Sequence, residues 1–543
     1  MNVLRYFLFV AALLPYCSIL GQQFPTQGNT MFEFKNETKI YSGKAFPSIR
    51  PTQFNDFQHD SDVLNENRIQ TVADSLFFPL FKTGNNLTLM ARIEPTLETG
   101  FDIDASKIMV SHFATGISTF LSHKKFSIYG SLQTGTMNPL SLANHYTDSF
   151  SILPGLGMIP KTESQSYFYY LPELRFNADI IRGLNAEAGF GTHFFGNGKR
   201  SLILSDEQYP YPYFKLTTDI WKFRYVNLFS WHRDIQSTEA ETWSDGLSKF
   251  NALHYLSWNA TPKLNISIFE AIVCPLYDSL MQRQFAEYNY FLPVVMYRPV
   301  DYALGSPDNM LAGLNIHYKP FKNHVFYGQI VFDELFMSEF RADILHLLGS
   351  DETDQYGAWV NKQSYQVGWR YYTMFGIENL HGLLEFNAIR PYMYSHRDIK
   401  QNYTHLNQPL AHPYGANLYE LTGNLRYGTP DWFFLLDVSY IKIGLDSTDS
   451  HFGQNIFKPT FDSNISGLNN IPVQYYGNYI GQGIPDKILS VYCSVSRVLL
   501  RKYNIWGQAA LTYRHSSANL LFKNASYVHL SVQWGMGSRR KGW

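Results

Sequence analysis

The chain has 543 residues, of which 45% are hydrophobic, 16% aromatic and 16% charged, and its formal net charge is −1. A charge balance this close to neutral argues against the strongly basic surface that nucleic acid selects, so no nucleic-acid partner is expected. A soluble chain of this length usually divides into several domains, but the composition does not shift after about residue 86, which favours one large unit.

The N-terminus has the layout of a secretory signal peptide. Arg5 precedes an apolar run over residues 6–20, and Gly21 then leads into a polar stretch. The run is shorter than the roughly 20 apolar residues that a membrane-spanning helix needs, which makes a membrane anchor the weaker interpretation. We therefore predict that residues 1–21 are a signal peptide that directs export.

Residues 22–86 differ from the rest of the chain. They are polar, contain several prolines, and include one helix-like stretch over residues 62–76 that opens with plausible N-cap residues. Two interpretations stay open for this segment: a periplasmic lead-in or partial plug, and an irregular tether.

From residue 87 to the C-terminus, strand-like runs come in pairs joined by short polar turns, and long segments rich in Gly, Pro, Asn, Asp and Tyr separate the pairs. An even number of strands with short turns on one side and long loops on the other is typical of a bacterial outer-membrane barrel. The pattern predicts eighteen strands, near residues 87–101, 109–121, 126–135, 172–181, 184–195, 213–220, 223–233, 250–260, 264–272, 309–318, 324–333, 362–374, 381–390, 417–428, 432–443, 486–500, 503–515 and 524–535.

Apolar and polar residues alternate along these runs. In the last one, Val528, Leu530 and Val532 are separated by polar residues, as expected for a strand with one face in lipid. A soluble β-sandwich or propeller also alternates, but strands of ten or more residues, long enough to cross a bilayer at a tilt of about 45°, favour the membrane. The sequence thus predicts an all-β fold: a transmembrane antiparallel barrel of about 18 strands over residues 87–543, in contact with outer-membrane lipid, with a short periplasmic N-terminal segment.

Catalytic signatures are missing from the sequence. It contains no GxSxG, no HExxH, no CxxC and no glycine-rich loop that would cradle phosphate. Neither enzymatic activity nor a cofactor is expected.

Three long segments combine aromatic residues with charged and polar ones: residues 191–213, 288–309 and 389–417. Aromatic faces stack on sugar rings, and Arg, Asn, Asp and His pair with hydroxyl or carboxylate groups, so these loops suit a polysaccharide at the outer rim. The alternative is that the same residues pack the loops onto one another and neutralise neighbouring charges. The histidines of the third segment have spacings that fit no standard metal site, so no metal is expected.

Within these segments, four stretches of sequence are specific enough to indicate a family. The residues FGNGKRSLILSD (195–206), YPYFKL (211–216), YRPVDYALGSPDN (297–309) and RPYMYSHRDIKQNYTHLNQPLAHPYGAN (390–417) resemble outer-membrane proteins of the Wzi-like capsule-assembly family, in particular the branch that includes the gliding-motility protein RemB. The resemblance spans most of the barrel. It implies an eighteen-stranded barrel without enzymatic activity that holds or organises exopolysaccharide at the cell surface.

Carried over as members of these motifs, the candidate residues for contact with polysaccharide or a protein partner are Lys199, Arg200, Arg298, Asp301, His396, Arg397, Asp398 and His405. The capsule proteins of the family carry a more developed N-terminal helical bundle than residues 22–86 provide. Three functions therefore stay open: a tether for capsular polysaccharide, a component of motility or secretion machinery that contacts a protein partner, and a diffusion channel.

Overall fold

In the computed structural model, the described residues are 46, 48–50, 78–83, 87–103, 108–123, 125–138, 151–158, 166–235, 246–277, 282, 285–286, 288–292, 308–334, 336–349, 355–447, 450–460 and 474–534. The predicted signal peptide and the helix-like stretch 62–76 lie outside these residues. So do most of segment 22–86, Arg298 and Asp301.

Eighteen antiparallel strands close into a barrel, which confirms the predicted fold class and strand number. Each predicted strand corresponds to one in the structure. In chain order, β1 is Leu87–Ile93 continued by Thr96–Asp102, and the others, β2 to β18, are Ile108–His123, Phe126–Met137, Tyr167–Ile181, Leu184–Gly191, Tyr211–Ile220, Phe223–Asp234, Leu247–Thr261, Leu264–Pro275, Asn309–Tyr318, His324–Glu334, Lys362–Tyr371, Leu380–Ile389, Leu418–Gly428, Trp432–Leu445, Ile484–Leu500, Ile505–Ser516 and Ala525–Trp534.

The barrel closes between its first and last strands. β18 pairs with the second half of β1, where Leu530 lies opposite Thr99. The first half of β1 pairs instead with a short strand, Phe78–Thr83, which continues the wall where β18 ends. Both halves of β1 pair with β2 on the other side. The wall is therefore hydrogen-bonded around the full circumference, as a closed sheet in lipid requires.

Short connections lie at one end of the barrel and long ones at the other. β4 and β5 are joined across residues 182–183, and β6 and β7 across 221–222. Gly183 has a φ of +81°, and a Cβ there would lie 2.6 Å from the carbonyl oxygen of Asp219, so this turn requires glycine. By the architecture of such barrels, the short-turn end faces the periplasm and the long loops face outward.

The loops contain several short elements of secondary structure. A helix, Met337–Leu347, follows β11 on the external side. None of the helices in the part of the chain that the structure describes is long and apolar enough to cross a membrane. The remaining elements are two-residue strand pairs, Ile49–Arg50 with Phe194–Phe195, Ile152–Leu153 with Gly157–Met158 and Thr404–His405 with Gln408–Pro409, and 3-10 turns at Tyr288–Phe291, Met374–Gly376, Ile399–Gln401 and Arg501–Tyr503.

The predicted outward face is apolar. Val528, Leu530 and Val532 are exposed, whereas His529 and Ser531 are buried. One group departs from this alternation: the strand registers place Asn227, His254 and Glu270 side by side on the outward face of β7, β8 and β9, yet all three are buried.

The inner face is less polar than the alternation of apolar and polar residues predicts. Apolar inward residues such as Val226, Leu253 and Val331 belong to one buried cluster with Leu202 and Ile203 of the loop that follows β5. A loop that enters the lumen buries apolar side chains there, which explains why the strands that meet it carry apolar inward residues.

Two strand boundaries differ from the prediction by four or five residues, more than any other. β4 begins at Tyr167 rather than near residue 172, although Pro172 lies inside it. β5 pairs only with residues 174–181 of β4, so Pro172 lies on a stretch paired on one side, where proline is tolerated. β5 ends at Gly191 instead of continuing to residue 195, because the chain turns inward there.

We expect Leu530→Arg to destabilise the barrel by about 2–4 kcal/mol, because an arginine near the bilayer midplane is that costly on a lipid-facing strand. Leu530 is 61% exposed and lies midway along β18. The measurement is urea-induced unfolding in lipid vesicles. Leu500→Arg, at the periplasmic end of β16, is the matched control and is expected to cost about 0–1 kcal/mol. Equal losses in both variants would contradict a lipid boundary at Leu530.

Candidate functional site

The loop between β5 and β6, residues 192–210, turns into the lumen and is called the inner loop below. Its first residues pair with the N-terminal segment: Phe195 lies opposite Ile49, and the Gly196 amide donates to the Ser48 carbonyl at 2.8 Å. Ser48 in turn accepts from Tyr255 of β8, with 2.9 Å between the hydroxyl oxygens. Two chain segments distant in sequence thus meet inside the barrel.

The tip of the inner loop is held by a single carboxylate on the far wall. Glu385 of β13 accepts hydrogen bonds from the backbone amides of Lys199 at 2.8 Å and Arg200 at 3.1 Å. It also accepts from the Tyr327 hydroxyl at 2.8 Å. A Cβ on Gly198 would lie 2.0 Å from Oε2 of Glu385, so only glycine allows this approach. The carboxylate therefore fixes the loop through its backbone.

The side chains of the same two loop residues form ion pairs with neighbouring strands. Lys199 Nζ lies 2.8 Å from Oδ1 of Asp437 on β15. Arg200 pairs with Glu420 of β14 at 3.2 Å and with Glu207 of its own loop at 2.8 Å. Although burial opposes the charge, Glu420 and Glu207 raise the pKa of Arg200 well above its ordinary value.

Because the inner loop starts between β5 and β6 but reaches β13, β14 and β15, it crosses the lumen. Further contacts support this path: the Leu202 amide donates to Gln329 of β11 at 2.8 Å, and Gln366 of β12 donates to the Arg200 carbonyl at 3.1 Å. The crossing segment is buried, with Leu202 fully enclosed. Within the described residues, the middle of the barrel is occupied by protein.

A second external loop, residues 390–417, locks onto the first and is called the second inner loop. The Ser205 amide donates to the Leu410 carbonyl at 2.7 Å, and the Tyr394 hydroxyl donates to the Leu202 carbonyl at 2.9 Å. The wall holds this loop too: the Lys249 ammonium donates to the Asn402 carbonyl at 2.8 Å. The two loops therefore form one interlocked unit.

Of the candidate residues in the second inner loop, His405 is buried deepest. Its Nδ1 accepts from the Arg233 amide at 3.0 Å, and its ring lies 5.2 Å from that of His232. Burial, followed by the positive charge of Lys249, lowers the pKa of His405 to about 3. The imidazole is thus uncharged at neutral pH and acts as a packing and acceptor group.

The other three candidates of this loop lie together in a turn. The Nδ1 of His396 accepts from the Asp398 amide at 3.2 Å, and Asp398 accepts from the Lys400 amide at 3.0 Å, so both side chains stabilise the local backbone. Burial and then Lys362 lower the pKa of His396 to about 4. Arg397, between them, is exposed.

The candidates therefore divide into groups. Lys199, Arg200 and His405 lie inside the barrel and are engaged in contacts within the chain, and Arg397 is exposed. Arg298 and Asp301 lie outside the described residues. A binding role for any of the eight stays a prediction.

A cleft with a volume of about 440 Å³ opens at the external end, and we call it the external cleft. It lies between the loops that join β13 to β14, β15 to β16 and β17 to β18. It is lined by Pro409, Pro413, Tyr414, Gly415, Leu445, Asp446, Ser447, Gln454, Asn455, Ile456, Phe457, Lys458, Leu520, Leu521, Phe522 and Lys523. One wall of this site, Pro409 to Gly415, belongs to the segment 389–417 that the sequence indicated, whereas the other two walls were not predicted. No local signal connects the three, because they come from loops that are far apart in sequence.

The floor of the external cleft rests on the interlocked loops. The ring of Tyr414 lies 5.0 Å from that of Phe522, and the guanidinium of Arg200 lies 5.9 Å from the Tyr414 ring on the inside. Glu420, which pairs with Arg200, also accepts from His412 at 2.8 Å. The motif residue Arg200 thus supports the cleft from within.

No family model matches the chain, and no curated protein matches it either. Among solved structures, the chain is similar to Wzi of Escherichia coli, described as an outer membrane protein involved in group 1 capsule assembly and as a carbohydrate binding beta-barrel. The TM-score is 0.54 at 12% identity, over 94% of this chain and 99% of that one.

Weaker likenesses are found to OccAB4 of Acinetobacter baumannii (TM-score 0.43, 8% identity, 83% of this chain and 98% of that one) and to OprD of Pseudomonas aeruginosa (0.40, 9%, 82% and 94%). The closed wall, its apolar outer face and the likeness to Wzi agree on the kind of protein. The chain is an outer-membrane β-barrel, and its location is the bacterial outer membrane.

Proposed function

We propose that this chain is a non-enzymatic outer-membrane barrel that binds or organises capsular or exopolysaccharide at the cell surface. One observation carries the proposal: the two external loops that fill the lumen also support a cleft that opens outward. A barrel whose middle is crossed by interlocked protein is suited to work at its external surface rather than as a passage. The carbohydrate binding stated for Wzi, which has a similar fold, adds to this support.

The chemistry of the external face suits sugars. Phe457 is half-buried in the lining of the external cleft, above the buried rings of Tyr414 and Phe522, and aromatic faces stack on the apolar faces of pyranose rings. Asn455 and Lys458 in the same lining offer groups that can hydrogen-bond to hydroxyls.

A second candidate function uses the same surface differently. Exposed tyrosines at the external end, Tyr475, Tyr476 and Tyr479, would suit a protein partner as well as a sugar, since tyrosine is enriched in protein interfaces. In that case the chain belongs to motility or secretion machinery, a function that the resemblance to the branch that includes RemB leaves open.

The experiment that separates the two is the measurement of cell-bound and released polysaccharide in cells that lack the protein. We expect the released fraction to rise several-fold, and the full-length chain to restore retention. Arg397→Ala, at an exposed position of the second inner loop, is expected to restore it only in part. Unchanged polysaccharide together with lost motility would contradict the proposal and favour a protein partner.

A further inference from the structure

We infer that the external cleft binds the uronic-acid residues of an acidic polysaccharide, with Lys458 and Lys523 as the groups that receive the sugar carboxylate. This inference rests on the proposed function and names its substrate class. Both lysines line the cleft, one from the loop between β15 and β16 and the other from the loop between β17 and β18.

The charge of the cleft is complementary to an anion. Asp446 is the only carboxylate among its described lining residues, and its oxygens are already engaged. They accept from the Phe452 amide at 2.6 Å, from the Asn455 amide at 3.1 Å and from His451 at 3.0 Å. The lining of the cleft therefore contains two ammonium groups and one carboxylate, and that carboxylate already accepts hydrogen bonds from residues of its own loop.

The lysines are placed to receive a ligand rather than to hold the fold. Lys523 donates to the Asn519 carbonyl at 2.8 Å, an exposed hydrogen bond within its own turn. Lys458 is half-buried, and its charge acts on the carboxylate of Asp446, but the two groups form no ion pair within 4.0 Å. Lys199, by contrast, is paired with Asp437 inside the barrel.

The remaining lining matches the body of a sugar. Phe457 is half-buried and Leu520 is exposed, so both present apolar surface to the opening. Tyr414 and Phe522, almost fully buried and in ring contact, form a rigid floor. A volume of about 440 Å³ falls within the roughly 300–1,000 Å³ of small-molecule sites, enough for a short stretch of a chain. A carboxylated sugar offers an apolar ring face to the aromatic surface and an anionic group to the two lysines that line the same cleft.

The test is direct binding of the full-length mature protein in detergent to two probes: an oligomer of galacturonic acid and the same oligomer with its carboxyl groups reduced to alcohols. The wild-type protein is expected to bind the acidic oligomer at least about tenfold more tightly, and to lose that preference at high salt. Lys458→Gln and Lys523→Gln are each expected to weaken acid binding about fivefold and to leave the reduced oligomer unaffected. Phe457→Ala is expected to weaken both.

Lys322→Gln, at the exposed periplasmic turn between β10 and β11, is the matched control and should change neither affinity. Heat-modifiable migration on gels checks that every variant is folded. Equal affinity for both oligomers, or an equal loss in Lys322→Gln, would overturn the inference while the proposed function stands. If neither oligomer binds but polysaccharide retention in cells still depends on the protein, the cleft is the wrong site. Retention that is independent of the protein would remove the proposed function itself.

Discussion

Glu385→Ala is expected to open the barrel to ions. The wild-type protein in planar bilayers should show little steady current, because the inner loop crosses the lumen, and the alanine variant should show frequent large openings. Glu385 accepts from two loop amides and from the Tyr327 hydroxyl. Its removal leaves these buried donors without an acceptor, at roughly 1–3 kcal/mol each. A total near 4 kcal/mol corresponds to about a thousandfold change in the ratio of open to closed loop.

The control for this experiment is another inward carboxylate. Glu98 on β1 accepts from the Tyr527 hydroxyl of the neighbouring strand at 3.1 Å, so Glu98→Ala removes a lumenal charge without touching the crossing loop. Its current should stay close to that of the wild type. If Glu385→Ala conducts no more than Glu98→Ala, the inner loop is not what closes the barrel. A large stable current in the wild-type protein would favour the diffusion channel over the polysaccharide tether.

The barrel wall was predictable because its determinants are local. Each hairpin joins strands that are neighbours in sequence, and alternation such as that of Val528, Leu530 and Val532 identifies the lipid face without knowledge of the partner strand. The predicted strand boundaries were wrong where the chain leaves the barrel wall, because local alternation no longer determines the pairing there. Phe194 and Phe195 were predicted to extend β5 but pair with Ile49 and Arg50, because the chain leaves the wall after Gly191.

The path of the loops was not predictable in the same way. Lys199 and Arg200 were assigned to the outer rim, since charged residues in a long loop are usually exposed. Their partners, Glu385 and Glu420, lie 186 and 220 residues away, and nothing in the local sequence connects them. Gly198 beside Lys199 is informative in retrospect: a glycine next to a charged pair allowed the backbone to approach a carboxylate.

The external cleft as a whole was not predictable either, because residues that are far apart in sequence form it. Phe457, Lys458 and Lys523 lie in loops that look ordinary one at a time, and only closure of the barrel brings them around Tyr414. The number and order of the strands place the ends of β13, β15 and β17 on the external side. They do not determine which of the loops fold into the lumen and which line the external cleft.

Arg200→Met is expected to loosen the inner loop strongly, because it breaks a buried ion pair and leaves one partner behind. Glu420 is fully buried, and without Arg200 its remaining donors are His412 at 2.8 Å and Asn387 at 3.1 Å. Breaking such a pair costs about 3–5 kcal/mol. Hydrogen exchange of the inner-loop amides, including Ser205, which donates to the Leu410 carbonyl, should then accelerate by about two to three orders of magnitude.

The double variant Arg200→Met with Glu420→Leu shows whether the charge left behind is the cause. Replacing both members of a buried pair by apolar residues of similar volume is often close to neutral, so exchange in the double variant is expected to return most of the way to the wild-type rate. Recovery would mean that the pair specifies where the loop docks more than it stabilises the barrel. If the double variant exchanges as fast as Arg200→Met alone, the guanidinium holds the loop mainly through its other contacts, with Glu207 and the ring of Tyr414. In that case binding at the external cleft, whose floor Tyr414 forms, should weaken in both variants to the same extent.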